Sequence, residues 1–279
     1  MKKLLFVLLL LFSATFLTIG QLHYDKKIEK MGLAAVASAK QDKQAEMQKE
    51  KENRRLLEEN KFNSVIDWLK YQSSQKEQIV ISTVGSSVTA GTGASDPTKS
   101  WSGLLESYLK NAREDLSAIS FINNGYDGFT IQEFLKENKL NELQSANPDL
   151  IIVEPPVIDD YRDNTSLKQT KQDLALLISE IKKVLPDSMI MIQSANPTTI
   201  PMKSQWGNSY QDYIESMTTV AEENNVNMID VTNGIQTLQE KNQKSVEDIL
   251  SDESHPNDLG YQYWFETLKT SFENDKIVP

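Results

Sequence analysis

Apolar and polar residues follow three different patterns along the chain. Positions 4–20 are uncharged and mostly apolar, a 17-residue run at the short end of what spans a bilayer. From 24 to about 60 the sequence turns to Lys, Glu, Gln and Ala, and between Gln41 and Arg55 only Ala45, Met47 and aliphatic stems offer apolar surface. High helix propensity and the Glu50 to Arg54 spacing favour a solvated helix there. No heptad seam persists, and a disordered tether is the alternative. Beyond residue 62, short β-branched runs alternate with segments of helical period.

In that last region Phe62, Val65, Ile66, Trp68 and Leu69 share one face of a leading helix. Ile79 opens an apolar run that stops at Gly85 and spills into Ser86, Ser87 and small residues. Trp101, Leu104, Leu105, Tyr108, Leu109 and Ala112 then recur at helical spacing as core contacts. Further strands are expected at 117–123, 149–154, 188–193 and 226–230, and helices at 131–138, 166–185, 208–224 and 257–272. Strands alternating with helices imply right-handed crossovers and a parallel sheet covered on both faces. The expected fold is α/β, a three-layer α/β/α sandwich of flavodoxin-like type with a five-stranded parallel sheet. The chain divides into a signal peptide or membrane anchor at 1–23, a polar helical stalk at 24–61 and an α/β domain at 62–279.

Composition narrows the function. With 279 residues, 39% of them hydrophobic, the chain can build one substantial core. The net charge of −11 argues against nucleic acid or anionic membrane surfaces as main partners. The absence of cysteine removes disulfides, thiol catalysis and lipid attachment through a thiol. Met1-Lys2-Lys3 ahead of the apolar run is a basic export signal. Thr18 and Gly20 suit a cleavage site but no Ala-x-Ala pattern stands out, which favours an uncleaved anchor through 4–20 over a cleaved signal peptide. Either outcome leaves the domain outside the cytoplasm.

The candidate chemistry begins where the first strand ends. A strand, tight turn and helix can hold a serine hydroxyl clear of the backbone at the carboxyl edge of a sheet, so Ser87 is the candidate nucleophile. Serine needs a base, and of the two histidines His23 lies beside the N-terminal apolar run, leaving His255. Asp252, three residues earlier, is spaced to hold the far imidazole nitrogen. The glycines around 85–93 fit neither a Gly-x-Ser-x-Gly elbow nor a phosphate loop, and no His-Glu-x-x-His motif is present.

Gly85-Ser86-Ser87-Val88 with Thr89-Ala90-Gly91, then Asn123-Asn124-Gly125-Tyr126-Asp127-Gly128, then Asp252-Glu253-Ser254-His255-Pro256-Asn257 resemble the first, second and last sequence blocks of the SGNH/GDSL hydrolases. The resemblance covers roughly residues 76 to 275 and implies Ser87 as nucleophile, with the amides of Ser87 and Gly128 as oxyanion donors. Asn123 is expected to brace loops. Two departures stand out. The residue before the nucleophile is usually aspartate and here is Ser86. The third block normally ends its strand in glycine and continues to an asparagine donor, whereas this chain has Val153-Glu154-Pro155-Pro156-Val157-Ile158-Asp159. Counting from Glu154, the asparagine falls on Ile158, or on Asp159 with a loop one residue longer. Asp159, isosteric with asparagine, fits better and could donate only when protonated.

These residues point to an exported serine esterase acting on carboxylic esters, acetyl esters among them, of small molecules, glycans or lipids, through Ser87, His255 and Asp252. No cofactor or metal is expected. The alternatives are an acyltransferase using the same groups, and a weakly active or non-catalytic surface module that binds a glycan or partner.

Overall fold

The computed structural model describes residues 2–116, 118–137, 139–200 and 203–278. The chain separates into two units, 1–56 and 57–279. Helix α1, Lys2–Asn60, supplies the first unit. Leu4 to Leu11 and their neighbours are solvent-exposed, and the helix is long and apolar enough at its start to cross a membrane. The polar stretch is helical as well, with Arg54–Glu50 at 2.9 Å and Arg55–Glu52 at 2.6 Å. Exposed pairs of this kind contribute little, so helix propensity is the main local support.

The second unit is α/β. In order it contains α2 (Val65–Gln75), β1 (Gln78–Gly85), a short α3 (Ser87–Ala90), α4 (Trp101–Asn111), β2 (Ala118–Gly125), α5 (Ile131–Lys136), α6 (Lys139–Ala146), β3 (Leu150–Val153), α7 (Val157–Arg162), α8 (Leu167–Val184), β4 (Met189–Gln193), α9 (Tyr210–Glu223), β5 (Asn227–Ile229), α10 (Val231–Asn242) and α11 (Asp258–Asn274). The five strands lie in the order β2-β1-β3-β4-β5, all parallel. The expected flavodoxin-like sandwich with its five-stranded parallel sheet is the fold observed.

Strand periodicity explains the layers. Leu150 and Ile152 face one core with Trp68, Trp101, Leu105, Ile235, Trp264 and Phe272. Ile151 and Val153 face the other with Phe134, Leu177, Ile181, Tyr213 and Met217. Consecutive β3 residues therefore enter opposite cores, which is why the strand is apolar throughout. Trp101 and Trp264 stack at 5.8 Å between ring centroids, and Trp264 Nε1 donates to Gln193 Oε1 at 2.8 Å.

Besides the one-turn α3, expected as a tight turn, sequence patterning missed three helices for separate physical reasons. Only Leu143 of α6 is buried, so its apolar stripe is too thin to register. Helix α7 starts directly after Pro155-Pro156 and has no side-chain cap, so the segment resembles a loop. Helix α10 carries Thr, Asn and Gly in its first turn, all poor helix formers. Gly234 is there because a side chain would run into Thr267 of α11. Phe62, expected on the leading helix, lies in the turn before α2 and packs on the core from there; the other expected boundaries shift by one or two residues. Ala112, expected in the core, is an exposed C-cap. Ser117 and Asn138, at the edges of an expected strand and helix, lie outside the described residues.

The ends of the strands create the functional edge. The pairing of β1 with β2 sets Gly85 beside Gly125, and that with β3 sets Val84 beside Val153. A side chain on Gly125 would strike the backbone of Ala90 in α3, so this glycine lets the turn after β1 sit down on β2. Gly125→Ala should therefore destabilise the domain by about 1–3 kcal/mol, read as a lower denaturant midpoint with an unchanged slope.

Candidate active site

Ser87 is the first residue of α3. Ser86 caps the helix, and Gly91 ends it at φ +98°, a conformation suited to glycine. The Ser87 carbonyl accepts from the amides of Gly91 and Thr92, both at 3.0 Å, so the helix closes within one turn. Tyr261 of α11 donates to the carbonyls of Val88 at 3.1 Å and Thr92 at 2.7 Å. The turn is thereby fixed to the C-terminal helix, which follows the segment carrying His255.

That segment is a small closed loop. Leu250 and Pro256 form an antiparallel bridge, and the Ser251 amide donates to the His255 carbonyl at 2.8 Å. Asn257 caps α11, accepting from the Leu259 amide at 2.9 Å and the Gly260 amide at 3.1 Å, while its Nδ2 donates back to the carbonyls of Asp248 and Leu250. Inside the loop, Asp252 Oδ1 accepts from the amides of Ser254 and His255, each at 2.8 Å. Burial works against the charge on Asp252, but those amides and the imidazole outweigh it and hold the carboxyl at about 2.

The three sequence-predicted groups come together. Asp252 Oδ2 is 2.7 Å from His255 Nδ1, and Ser87 Oγ is 2.9 Å from His255 Nε2. An ionised carboxylate can only accept, so Nδ1 carries the proton and Nε2 is free to accept from the serine hydroxyl. Ser87 is buried, at 7% exposure. A hydroxyl, an imidazole and a carboxylate in this order can transfer a proton away from the serine oxygen as it bonds to carbon.

The other predicted residues sit as follows. Asn123 Nδ2 donates to the Thr89 carbonyl at 2.7 Å and to Ser102 Oγ at 3.0 Å, bracing the turn. Gly128 has φ +72°, and a side chain there would meet nothing within 4 Å. Its positive φ is a conformation suited to glycine. Its loop is tied to the residues after α3 by Thr92 Oγ1 donating to Asp127 Oδ1 at 3.2 Å. Ile158 belongs to the core, while Asp159 feels the charge of His255. Asp159 Oδ2 is buried with no hydrogen-bond partner among the described residues. Burial pushes its carboxyl up to about 6, with Arg162 and His255 opposing and Asp163 and Asp160 reinforcing the rise.

Sequence reasoning passed over several groups that shape the site. Arg162 donates to Ser254 Oγ at 2.8 Å, and Asn196 Nδ2 donates to the Ser254 carbonyl at 2.8 Å, so α7 and the segment after β4 both steady the His255 loop. Glu154, fully buried, reaches the Ser86 turn. Its signal was visible as a charged residue ending an otherwise apolar central strand, a position where an acid needs partners. Among the described residues no three His, Asp or Glu side chains gather as metal ligands.

The sequence profile of the GDSL-like lipase/acylhydrolase family matches residues 83–263. No curated protein sequence matches the chain. Among solved structures, a two-domain esterase (CEX) active on acetylated mannans is similar at 18% identity, with a TM-score of 0.61 over 77% of this chain and 57% of that one. The chain thus spans little more than half of that esterase's length. The acetyl xylan esterase AlAXEase is similar at 19% identity and TM-score 0.56, over 69% of this chain and 98% of that one. A member of the lipolytic protein G-D-S-L family from Veillonella parvula is similar at 16% identity and TM-score 0.55, over 70% of this chain and 98% of its own. At such identities the structures establish the fold, and the profile establishes descent. The chain belongs to the GDSL-like lipase/acylhydrolase family.

Proposed function

We propose that the protein is an exported serine esterase that works through Ser87, His255 and Asp252 and a covalent acyl-enzyme. The observation that carries this reading is the unbroken hydrogen-bonded series from Ser87 Oγ through His255 to Asp252, at 2.9 and 2.7 Å. Ser87 Oγ attacks the ester carbonyl while His255 Nε2 takes its proton. The tetrahedral intermediate collapses as the imidazolium returns the proton to the leaving alcohol. Water, deprotonated by the same imidazole, then releases the acid. Asp252 stabilises the imidazolium and keeps the proton on Nδ1. The amides of Ser87 and Gly128 face the developing oxyanion, and neither has an acceptor among the described residues.

The substrate we infer is an O-acyl ester on a glycan outside the cytoplasm. Support comes from the names of structural neighbours, among them esterases of acetylated mannans and an acetyl xylan esterase. The address rests on the basic, apolar start of α1. Residues 1–23 act as signal or anchor, 24–61 as stalk and 62–279 as the catalytic domain. Full-length protein in detergent should release acetate from acetylated xylan or mannan and be labelled by a fluorophosphonate. Ser87→Ala should abolish both, and product analysis with an added sugar acceptor separates hydrolysis from transfer. Wild-type protein that neither labels nor releases acetate between pH 5 and 9 would favour a binding module instead.

Asp159 gives this esterase an unusual pH dependence. Its carboxyl, raised to about 6, is a hydrogen-bond donor below that pH and an anion above it. An anion beside the oxyanion raises the barrier, so kcat/KM of the wild type should fall relative to that of Asp159→Asn as pH rises through about 6. Asp159→Asn donates at every pH, and at pH 8 should exceed the wild type by up to about a hundredfold, the worth of one oxyanion donor. Wild-type and Asp159→Asn profiles that superimpose would remove Asp159 from the oxyanion site.

A further inference from the structure

Glu154 takes no part in the chemistry above, yet the turn that presents Ser87 is built around it. The residue follows β3 directly, and its amide donates to the Val84 carbonyl at 2.8 Å, which continues the β1–β3 pairing. From there its side chain crosses to the neighbouring turn. Oε2 accepts from the Ser86 amide, the Ser86 hydroxyl and the Thr89 hydroxyl, each at 2.9 Å. Those donors bracket Ser87 on both sides. Gly85 is required for the same reason, since a side chain there would occupy the space of Thr89 Oγ1 and Glu154 Oε2. Where the family motif carries an acid next to the nucleophile, this chain has a serine, and a carboxyl reaches the turn from the adjacent strand.

The two carboxyl oxygens are used unequally. Oε2 has three donors, whereas Oε1 is buried with no partner among the described residues. The titratable groups that face Glu154 are Asp159 from α7, Tyr210 from α9 and Tyr261 from α11. None is a cation, and the one positive side chain of α7 that reaches this region, Arg162, acts on Asp159 and Tyr210 and not on Glu154. Burial outweighs the hydrogen bonds and pushes the carboxyl up to about 8. A neutral acid fits this arrangement, with Oε2 as the carbonyl oxygen that accepts and Oε1 as the oxygen that keeps the proton.

We propose that Glu154, in its neutral form, is a positioning residue that clasps Ser86 and Thr89 and so holds the Ser87 hydroxyl and amide in register with His255. This rests on Ser87 being the nucleophile. Above pH 8 the carboxyl ionises, a buried negative charge appears behind the turn, and the nucleophile loses reactivity.

Glu154→Gln keeps the shape and the accepting oxygen but has no proton to lose. The test compares fluorophosphonate labelling rates of full-length wild type and Glu154→Gln from pH 6 to 9. Because Asp159 faces Glu154, the comparison is repeated with Asp159→Asn in both proteins, which removes the titration of Asp159 from the ratio. The ratio should stay within about twofold of one below pH 7 and rise about tenfold by pH 9, the course of a single titration near 8. Glu154→Ala should label about a hundredfold more slowly at every pH, a loss comparable to that of an oxyanion donor, with its fold checked by circular dichroism. Thermal unfolding supplies a readout independent of Ser87. The folded value lies above the ordinary 4.5, so the wild type's carboxyl costs stability progressively as pH rises from 4.5 to 8. The Tm of Glu154→Gln should gain on the wild type over that interval and level off above it. A constant labelling ratio across the range, or Glu154→Ala labelling within twofold of the wild type, overturns the proposal. A wild type that does not label at all overturns the Ser87 reading as well, and a flat Tm difference shows that Glu154 is ionised in the folded protein.

Discussion

The hydrogen-bonded pairing of β1 with β3 is the constraint on which the site depends. It fixes Val84 opposite Val153, and in doing so brings the next residue of each strand, Gly85 and Glu154, to the same edge of the sheet. Ser87, the candidate nucleophile, follows within a few residues of that edge. A slip of one residue would exchange the two cores on either side of β3 and carry the Glu154 carboxyl away from the Ser86 turn. The apolar run of β3, shared between both cores, is what makes such a slip costly.

The histidine side of the site is built on a different principle. It owes little to the sheet and much to local hydrogen bonds: the Leu250–Pro256 bridge, the two amides on Asp252 Oδ1 and the capping of α11 by Asn257. A polar loop of this kind is ordered by its own acceptors and donors, each of which would otherwise be left to water. Long-range contacts then aim it, through Tyr261, Arg162 and Asn196.

How much of this was legible in the sequence depends on whether the signal is periodic or relational. The five strands and the principal helices are periodic, and their apolar spacing announced them. So did Ser87, Asp252 and His255, which stand at turns whose residue types and order are informative. Helices α6, α7 and α10 were hidden because burial, prolines or poor helix formers weakened the pattern locally. Glu154 was legible only as an acid after an apolar strand that must find partners, not as to which partners. Its meaning lies in what it touches, a turn 68 residues away in sequence, and spacing alone carries no trace of that contact. Gly128 has the left-handed conformation that glycine supplies.

One consequence of the Asp252 loop concerns how errors enter the site. Because a single carboxylate grips both the main chain and the ring of His255, acid and base are locked to each other more tightly than either is locked to the serine. Thermal jostling therefore cannot easily misalign the imidazole with its carboxylate. The gap between Ser87 Oγ and His255 Nε2 is instead set by contacts between distant elements, Tyr261 on the Ser87 turn and Arg162 and Asn196 on the His255 loop, so a displacement of the loop as a unit alters that gap before it alters the pairing of ring and carboxylate.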